Sequence, residues 1–392
     1  MKALQMQRSV PRFAAARVAS GWKPGGGGRV GPLRLVEADL PERPGALWQV
    51  VRPRLAGICG SDLATVDGRS SRWFEPIVSF PFVPGHEVVG DAEDGRRVVI
   101  EPVLHCLVRD LDPPCSPCAA GATNRCERLA GGHLKPGLQT GYCADTGGGW
   151  SLGLVAHELQ LHEVPDGWTD EAAVMIEPTA CAVHGSLSAP GGDDLTAVVI
   201  GAGTLGLATI AAVRELRPDI ATIVAVAKHP EQQRLAGQLG AVTVVEPREL
   251  RRTVRRATGS WILDNGQVTG GAPIVFDCVG SAGSIAEALA VVAPGGTVVL
   301  LGMPGHVGLD LTGLWQREVR LVGAYAYGPE PAAGGAHSFD LAMRVVDAAG
   351  LDRLVTATYP LERYSDAIEH AASAGRRGTV KVAFDLRQER RR

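Results

Sequence analysis

The pattern of hydrophobic and polar positions divides the chain into a β-rich first part and a second part in which strands and helices alternate. Before residue 165, short apolar or alternating runs are separated by Gly and Pro. This pattern predicts strands at Trp48–Arg52, Glu87–Asp91, Arg97–Ile100 and Leu159–Val164. A longer apolar stretch over Asp170–Leu187 begins with two acidic residues and predicts a helix.

From residue 195 onward, strand and helix patterns alternate. The predicted strands are Ala197–Ile200, Thr222–Ala227, Val242–Val245, Ile274–Asp277, Thr297–Leu301 and Val319–Val322. The predicted helices between them are Thr204–Leu216, Glu231–Leu239 and Ser284–Val292. Because parallel strands are joined by helical crossovers, this alternation predicts an α/β fold with a doubly wound parallel sheet of the Rossmann type.

Composition and charge exclude several classes of partner. The formal net charge of −3 provides no basic surplus for nucleic acid, and the basic run Arg387–Arg392 is expected to be a solvated terminus. Residues 1–36 lack acidic residues, as transit peptides do, but Pro11 and Gly25–Gly28 are expected to break the amphipathic helix that such a peptide needs. The glycines of the uncharged stretch Leu195–Val213 argue against a membrane span. We therefore expect a cytoplasmic protein without a membrane partner.

A glycine-rich turn, with the sequence GAGTLG, connects the first strand of the alternating part to its helix. Gly201 permits a tight turn, Gly203 lets the backbone approach a pyrophosphate, and Gly206 lets helix and strand pack closely. Thr204 and Leu205 begin the helix, whose N-terminal N–H groups attract anions. The turn therefore predicts a dinucleotide site.

The end of the next strand bears on the choice between NAD(H) and NADP(H). An acidic residue about 20 positions beyond the glycines would hold the ribose 2′-hydroxyl of NAD. The chain has Ala227, Lys228 and His229 there, and a small residue followed by a cation favours the 2′-phosphate of NADP(H). If Lys228 and His229 are only solvated turn residues, NAD(H) stays open. Cys278 and Gly302, which follow later strands, are also assigned to this cofactor edge.

Potential metal ligands occur in two groups. In the first, Cys59 in GICGSD, His86 in GHE and Glu177 in IEP supply a thiolate, an imidazole and a carboxylate, which is a sound set for a catalytic zinc ion. Each residue alone is more often part of the core. The second group consists of four of the eight cysteines, and without a secretory signal their clustering favours a metal over disulfides.

These motifs in this order, with GAGTLG and a later APGG, resemble the zinc-dependent medium-chain dehydrogenase/reductase family, in particular its polyol and threonine dehydrogenase-like branch. The resemblance covers nearly the whole chain. It implies a GroES-like catalytic domain over residues 1–180 with a structural zinc lobe near 101–130, and a Rossmann domain over 181–330. Residues 331–392, with predicted helices Phe339–Ala349 and Tyr364–Ala374 and a strand Thr379–Phe384, are expected to return to the catalytic domain. The protein is expected to be a homodimer or homotetramer.

The resemblance also assigns roles around the first metal site. Cys59, His86 and Glu177 match the catalytic zinc ligands, and Glu87 matches a carboxylate beside the metal that replaces water during turnover. The implied reaction interconverts an alcohol and a carbonyl compound by hydride transfer with a nicotinamide cofactor, with zinc acting as a Lewis acid.

Two further residues match the proton-handling part of the family site. Ser61 matches the hydroxyl that passes on the alcohol proton, and Asp62 matches the acid that orients the histidine ligand. Family members often carry a histidine five residues after the cysteine ligand, where it completes the proton relay. Here that position is Ala64, so the relay must end differently.

The cysteine group departs from the family spacing. Cys115, Cys118 and Cys126 fit it, but Cys106 lies nine positions before Cys115 rather than three. The inserted loop could still bring Cys106 to a structural zinc ion, because a surface insertion costs little closure entropy. Reduced free thiols are the alternative.

Two other functions stay open on the sequence alone. A zinc-free enoyl or quinone reductase of the same fold would not need Cys59, His86 and Glu177 together. A non-catalytic zinc-binding module would use the cysteine lobe for a partner, but the surface composition disfavours it. The substrate is not specified beyond a small alcohol or carbonyl compound, such as a polyol, a sugar or an amino-alcohol.

Overall fold

The chain folds into two compact units. The computed structural model describes residues 1–387, so most of the basic run at the end of the sequence lies outside the described residues. One unit comprises Met1–Glu177 and the segment that begins at Asp352, and the other is Pro178–Leu351. Within residues 1–387, no helix is long and apolar enough to cross a membrane.

The chain returns to the first unit later than predicted. Residues 331–351 group with the second unit, so the predicted return at residue 331 was wrong by about twenty residues. The reason is that the helix Ser338–Ala349 packs against the helix Thr204–Leu216 of the second unit.

Strands dominate the first unit up to residue 177. They are β1 Lys2–Met6, β2 Leu33–Glu37, β3 Trp48–Gly57, β4 Val88–Ala92, β5 Arg97–Ile100, β6 Leu154–His157 and β7 Leu161–Glu163. The helices are α1 Val10–Trp22, α2 Gly27–Val30, α3 Gly60–Val66, α4 Ser116–Ala119 and α5 Asp170–Ala173. The long helix predicted over Asp170–Leu187 is two helices, since α5 ends at Ala173 and a second helix begins at Ile176.

Helix α1 and the glycines after it form an insertion between β1 and β2. The expectation that Pro11 breaks a helix here was wrong, because Pro11 lies in the first helical turn, where no intrahelical N–H bond is lost. The glycines follow the helix instead of interrupting it. The backbone N–H groups of Gly25 and Gly27 donate to the buried Asp67 carboxylate, at 3.2 and 3.1 Å.

The second unit contains the alternating elements. Helix α6 Ile176–Leu187 leads into it. Its strands are β8 Leu195–Ile200, β9 Ile220–Val226, β10 Thr243–Val245, β11 Ala272–Asp277, β12 Val292–Leu300, β13 Arg320–Gly323, β14 Pro329–Glu330 and β15 Ala336–His337. Its helices are α7 Thr204–Leu216, α8 Pro230–Gln238, α9 Leu250–Thr258, α10 Ala282–Val291, α11 Thr312–Gln316 and α12 Ser338–Ala349.

The main sheet of the second unit has the order β10-β9-β8-β11-β12-β13, and all of its strand pairs are parallel. Helices α7, α8 and α12 pack together, and α9, α10 and α11 form a second group. The two halves of the sheet, β8 to β10 and β11 to β13, meet between β8 and β11, which is the arrangement of dinucleotide-binding sheets. The predicted Rossmann-type fold is confirmed.

The end of the chain completes the sheet of the first unit. It supplies β16 Val355–Tyr359, α13 Tyr364–Ala372 and β17 Lys381–Asp385. The sheet order is β16-β17-β3-β4-β5-β7, and β6 also pairs with β3. Strand β17 is antiparallel to β3 and aligns Ala383 with Gly57. The two segments of this unit therefore share one hydrogen-bonded sheet, and the predicted β-rich domain is confirmed.

Candidate active site

The GICGSD segment lies where β3 ends and α3 begins. Cys59 is the N-cap residue of α3, and its backbone N–H donates to the Asp62 carboxylate at 3.0 Å. This bond satisfies one of the helix's unpaired N–H groups and fixes the buried Asp62 side chain. Ser61 lies between these two residues on the first turn of α3. The helix start therefore holds a thiol, a hydroxyl and a carboxylate close together.

His86 faces this helix start. Its Nδ1 atom lies 3.6 Å from Asp62 Oδ1, and its Nε2 atom lies 3.5 Å from the Ser61 hydroxyl. Burial alone would lower the pKa of His86, but the charges of Asp62 and Cys59 outweigh burial and raise it well above its usual value. In the neutral imidazole, Asp62 favours the tautomer with a proton on Nδ1, which leaves the Nε2 lone pair for another partner.

Trp150 fixes the two motifs relative to each other. Gly85, before His86, has a φ of +96°, and a methyl group added to it would lie 2.4 Å from the Trp150 ring. The Trp150 indole N–H donates to the Gly57 carbonyl at 3.1 Å. Only glycine meets both the backbone and the packing requirement at position 85. The fully buried indole thus contacts the glycine before each motif.

Glu87 forms a buried ion pair with Lys381 of β17, which the sequence motifs did not predict. Both side chains are at most 2% exposed. A methyl group at Gly57 would lie 2.1 Å from Glu87 Oε2, so this glycine makes room for the carboxylate. Burial alone would lower the pKa of Lys381, but the charges of Glu87, Cys59 and Glu177 outweigh it and raise the pKa. A single lysine in the apolar run Val380–Phe384 was the available signal.

The predicted ligands Cys59, His86 and Glu177 suit a metal ion by their chemistry, and two atoms among and beside them lack hydrogen bonds within the described residues. Asp62 Oδ1 and His86 Nδ1 are buried and have no hydrogen-bond partner among residues 1–387. If His86 held a metal ion through Nε2, its Nδ1–H group would be the donor for the Asp62 carboxylate, as in carboxylate–histidine–zinc sets. The ligand atoms of Cys59, His86 and Glu177 do not form a compact group within 4.8 Å of one another. Glu87, which was predicted beside the metal, is bound to Lys381.

The four-cysteine lobe is compact. The sulfur atoms of its members all lie within 4.8 Å of one another, and all four residues are buried: Cys106, Cys115, Cys118 and Cys126. The sulfurs of Cys106 and Cys126 are 3.7 Å apart. A tetrahedron with Zn–S bonds of about 2.3 Å has S–S edges of about 3.8 Å, so the group fits a structural zinc ion. Cys106 joins the lobe despite its unusual spacing.

Backbone N–H groups surround the thiols. Those of Glu127 and Arg128 point at the sulfurs of Cys115 and Cys126, at 3.5 and 3.4 Å. Burial alone would raise the pKa of Cys115, but hydrogen bonds from the backbone and neighbouring thiols outweigh it and lower the pKa to about 7. A thiol that ionises near neutral pH binds a metal readily.

Arg109 explains how the inserted loop reaches the lobe. Arg109 follows Cys106 by three residues, and its side chain is fully buried. The guanidinium donates to five backbone carbonyls. These carbonyls belong to Leu104, Gly131, Leu134, Lys135 and Gly137. Because all the donors of one guanidinium converge on two chain segments, Arg109 ties the loop to the segment that follows the lobe.

The glycine turn in the second unit has the geometry of an anion site. Gly201 has a φ of +96°, and a methyl group at Gly206 would lie only 1.7 Å from the Gly201 carbonyl oxygen. Gly203 is the N-cap residue of α7 and has open space around it. The first N–H groups of α7, at Thr204 and Leu205, belong to the helix start, where N–H groups have no partner within the helix and attract anions.

The turns after β11 and β12 close against the glycine turn. Asp277 accepts hydrogen bonds from the N–H groups of Val279 and Gly280, at 2.9 and 3.2 Å. A methyl group at Gly302 would lie 2.2 Å from the Gly280 nitrogen, so these turns touch through their glycines. Cys278, assigned to this edge, packs beneath it with its sulfur 3.6 Å from the Thr209 hydroxyl. Asp277 was missed because a turn-forming aspartate has no distinctive spacing.

The end of β9 is followed by the exposed Lys228. Ala227 is buried, and its carbonyl accepts from Gln233 at 3.1 Å. Lys228 is exposed and His229 is the N-cap residue of α8. Arg234, a second possible cation, is held by Glu231 and Gln238 on its own helix. Of these two cations, Arg234 is thus paired within its helix and Lys228 is exposed.

Comparison with known proteins identifies the family. The alcohol dehydrogenase GroES-like domain family matches residues 45–166, and the zinc-binding dehydrogenase family matches residues 204–347. Together these matches cover most of both units in the order expected. The chain belongs to the zinc-binding medium-chain alcohol dehydrogenase family. It is an alcohol dehydrogenase-type oxidoreductase.

Individual relatives agree with a polyol-dehydrogenase-like branch. A sorbitol dehydrogenase from Arabidopsis thaliana is 28% identical over 352 residues, which covers 86% of this chain and 88% of the relative. An L-idonate 5-dehydrogenase from Vitis vinifera is 26% identical over 353 residues, 86% and 87% of the two chains. A solved structure of a short chain alcohol dehydrogenase from Escherichia coli CFT073, in complex with NADH, superposes on this dehydrogenase with a TM-score of 0.72. The two sequences are 22% identical, and the superposition covers 98% of this chain and 99% of the other.

The glycine turn yields a stability prediction. Gly206→Ala places a methyl group against a fixed backbone oxygen and is expected to destabilise the second unit by about 1–3 kcal/mol. Gly203→Ser is the control, because its side chain enters open space at an N-cap, where serine is favoured. Thermal unfolding of both variants measures the difference. Equal melting temperatures for the two variants would contradict the close-packing role of Gly206.

The cysteine lobe yields a metal prediction. Elemental analysis should find two zinc ions per chain, and Cys106→Ser should remove one and lower the melting temperature, because four thiolates close a structural site. Cys143→Ser is the control, since Cys143 is buried outside the lobe and its thiol donates to the Lys135 carbonyl, at 3.6 Å. Retention of both zinc ions by Cys106→Ser would exclude Cys106 as a ligand.

Proposed function

We propose that this dehydrogenase uses zinc to interconvert a polyol or similar alcohol with its carbonyl compound and prefers NADP(H). The observation that carries the proposal is the buried Asp62 carboxylate, which bonds the Cys59 backbone and faces His86. Asp62 Oδ1 and His86 Nδ1 face each other at 3.6 Å, and the carboxylate charge attracts the imidazole. The pair is what a metal-binding histidine requires.

Each residue of the proposed site has a distinct task. Cys59, His86 and Glu177 would hold the zinc ion, which supplies Lewis-acid activation of the substrate oxygen when bound. Ser61 would accept the proton of the alcohol hydroxyl. The Lys381 ammonium offsets the negative charge of Glu87, so that the carboxylates and thiolate near the site do not repel one another.

The polyol class is supported by the relatives and not by a specific contact. Sorbitol dehydrogenase and L-idonate 5-dehydrogenase are named for polyhydroxylated substrates, and both align with more than four-fifths of the chain. We propose the same substrate class for this enzyme.

The preference for NADP(H) is supported by the end of β9. An acidic side chain at position 227 would repel a 2′-phosphate, and Ala227 removes that repulsion. The ammonium of the exposed Lys228 adds an attraction. The Escherichia coli structure contains NADH, but at 22% identity it bears on the fold alone.

The expected homodimer or homotetramer stays a prediction. Strand β13 supports it, because this strand forms the outer edge of its sheet and carries the exposed Leu321. The exposed Trp315 of the preceding helix adds apolar surface. A second copy of the chain would pair the edge and cover both side chains. The cytoplasmic location also stays a prediction.

The activity itself is tested with a panel of alcohols. Purified enzyme with NADP⁺ is expected to oxidise at least one of sorbitol, xylitol, L-idonate and 2,3-butanediol, as measured by reduced-nicotinamide absorbance. His86→Ala should abolish this oxidation, whereas His157→Ala should retain it, because His157 is equally buried but lies away from Cys59. Turnover by His86→Ala at the wild-type rate would favour a zinc-free reductase of the same fold.

Cofactor preference is tested separately by mutation at the end of β9. The kcat/KM with NADP⁺ should exceed that with NAD⁺ by about tenfold, since a lysine–phosphate contact contributes about 1–3 kcal/mol. Ala227→Asp should reverse the order, and Lys228→Ala should weaken the preference. Arg234→Ala is the control and should leave the ratio unchanged, because Arg234 is paired with Glu231. Equal kcat/KM values for the two cofactors in the wild-type enzyme would refute the proposal.

A further inference from the structure

A chain of hydroxyl groups runs from the candidate active site to the protein surface. Its inner end is Ser61, whose hydroxyl lies 3.5 Å from His86 Nε2 and whose side chain is close enough to influence the pKa of Tyr142. The Tyr142 hydroxyl lies 3.3 Å from Thr65 Oγ1, and Thr65 Oγ1 lies 2.9 Å from the Ser70 hydroxyl. Tyr142 and Thr65 are buried, and Ser70 is exposed. The oxygens of Tyr142, Thr65 and Ser70 therefore form a continuous path to solvent, and Ser61 lies next to its buried end.

The path starts beside Ala64, the position at which related enzymes often carry the relay histidine. Position 64 on α3 carries Ala64, which cannot hydrogen-bond through its side chain. Thr65 is the next residue, and it lies one helical turn after Ser61 on the same side of α3. Its hydroxyl contacts the Ser61 backbone carbonyl at 2.9 Å. The helix thus presents a hydroxyl beside the position that lacks a polar side chain.

Tyr142 bridges the two α3 hydroxyls from another segment. Its ring packs against Phe82, at a centroid distance of 5.4 Å, and against the His86 ring, at 6.0 Å. Burial raises the pKa of Tyr142, with the Asp62 charge as a further cause, so the phenol stays protonated. A neutral phenol can accept one proton while it donates another. The packing holds this group in place without an ionic partner.

We propose that Ser61, Tyr142, Thr65 and Ser70 form the proton relay of this enzyme, and that the relay bypasses Ala64. The inference rests on the proposed alcohol oxidation. Tyr142, Thr65 and Ser70 act through Ser61 and do not touch the substrate, so they are relay residues and not catalytic ones.

The relay balances the protons of the reaction. Oxidation breaks the C–H and O–H bonds of the alcohol carbon and oxygen, and the C–H electron pair leaves as hydride to the oxidised nicotinamide. The O–H proton passes to the Ser61 oxygen, while Ser61 gives its own proton to Tyr142. Tyr142 and Thr65 each receive one proton and release one, and Ser70 releases a proton to water. Every hydroxyl ends neutral, and carbonyl reduction reverses the sequence.

The Thr65 hydroxyl can donate its proton in two directions. Its single proton has two acceptors at the same distance of 2.9 Å, the Ser61 carbonyl and the Ser70 hydroxyl. When the proton points at Ser70, the path is open toward solvent. When it points at the Ser61 carbonyl, Thr65 can still accept from Tyr142. Removal of this hydroxyl breaks the path at a defined point.

The experiment compares Tyr142→Phe and Thr65→Val with the wild-type enzyme on the best-oxidised alcohol of the panel. Each variant should lower kcat by about 10- to 100-fold, because proton transfer to solvent is interrupted. The solvent deuterium isotope effect on kcat should rise, and the primary isotope effect from the deuterated C–H position should fall. A distorted site would instead slow hydride transfer and raise the primary effect. Thr65→Ser keeps the hydroxyl and should restore both isotope effects.

Thr258→Val provides a matched control from the other unit. Thr258 makes the same pair of contacts, with the carbonyl four residues before it at 2.8 Å and with the Ser260 hydroxyl at 2.6 Å. This variant should keep the wild-type kcat and isotope effects. Zinc content and NADP⁺ dissociation constants of all variants should match the wild type, which measures the integrity of the sites without turnover.

The possible results separate the two proposals. Wild-type kcat and isotope effects in both Tyr142→Phe and Thr65→Val would overturn the relay and leave the dehydrogenase function intact. A loss of kcat with a raised primary isotope effect would also overturn the relay, because it indicates a structural role. If the wild-type enzyme oxidised none of the alcohols with either cofactor, the proposed function would fail, and the relay would fail with it.

Discussion

The buried ion pair between Glu87 and Lys381 is the interaction on which the first unit depends. The two residues are 294 positions apart, and neither charge reaches solvent. Removal of one partner from such a pair typically costs about 3–5 kcal/mol, because the other charge stays buried alone. Glu87 follows His86 directly, so the same contact fixes the histidine segment. The cation must come from β17, which explains why a chain that leaves for a second unit has to return to the edge of β3.

Close backbone approach is the second constraint. Around the proposed metal site, Gly57 makes room for Glu87, and Gly85 makes room for Trp150. In the second unit, Gly206 lets α7 lie against the Gly201 carbonyl. In each case the missing side chain is replaced by a functional or packing group that could not otherwise fit. The high glycine content of the sequence is therefore explained in part by the sites themselves.

Local patterns were sufficient for the fold class and for the cofactor turn, because strand and helix periodicity and GAGTLG are short-range signals. They were insufficient where distant segments meet. Lys381 could be noticed as a lone charge in an apolar strand, but its partner depends on the pairing of β17 with β3. The spacing of Cys106 argued against its place in the lobe, and buried Arg109 resolves that discrepancy. Pro11 was misjudged because its effect depends on whether it begins a helix or interrupts one.

The return of β17 has a consequence for the order in which the protein is made. During synthesis, the ribosome produces Glu87 294 residues before Lys381. The second unit, which is continuous in sequence, can fold while the first still lacks a strand and a countercharge. A nascent or truncated chain without β17 would expose the edge of β3 and carry an unpaired carboxylate in its interior. The Glu87 segment therefore obtains its countercharge only after β17 has been synthesised and has paired with β3.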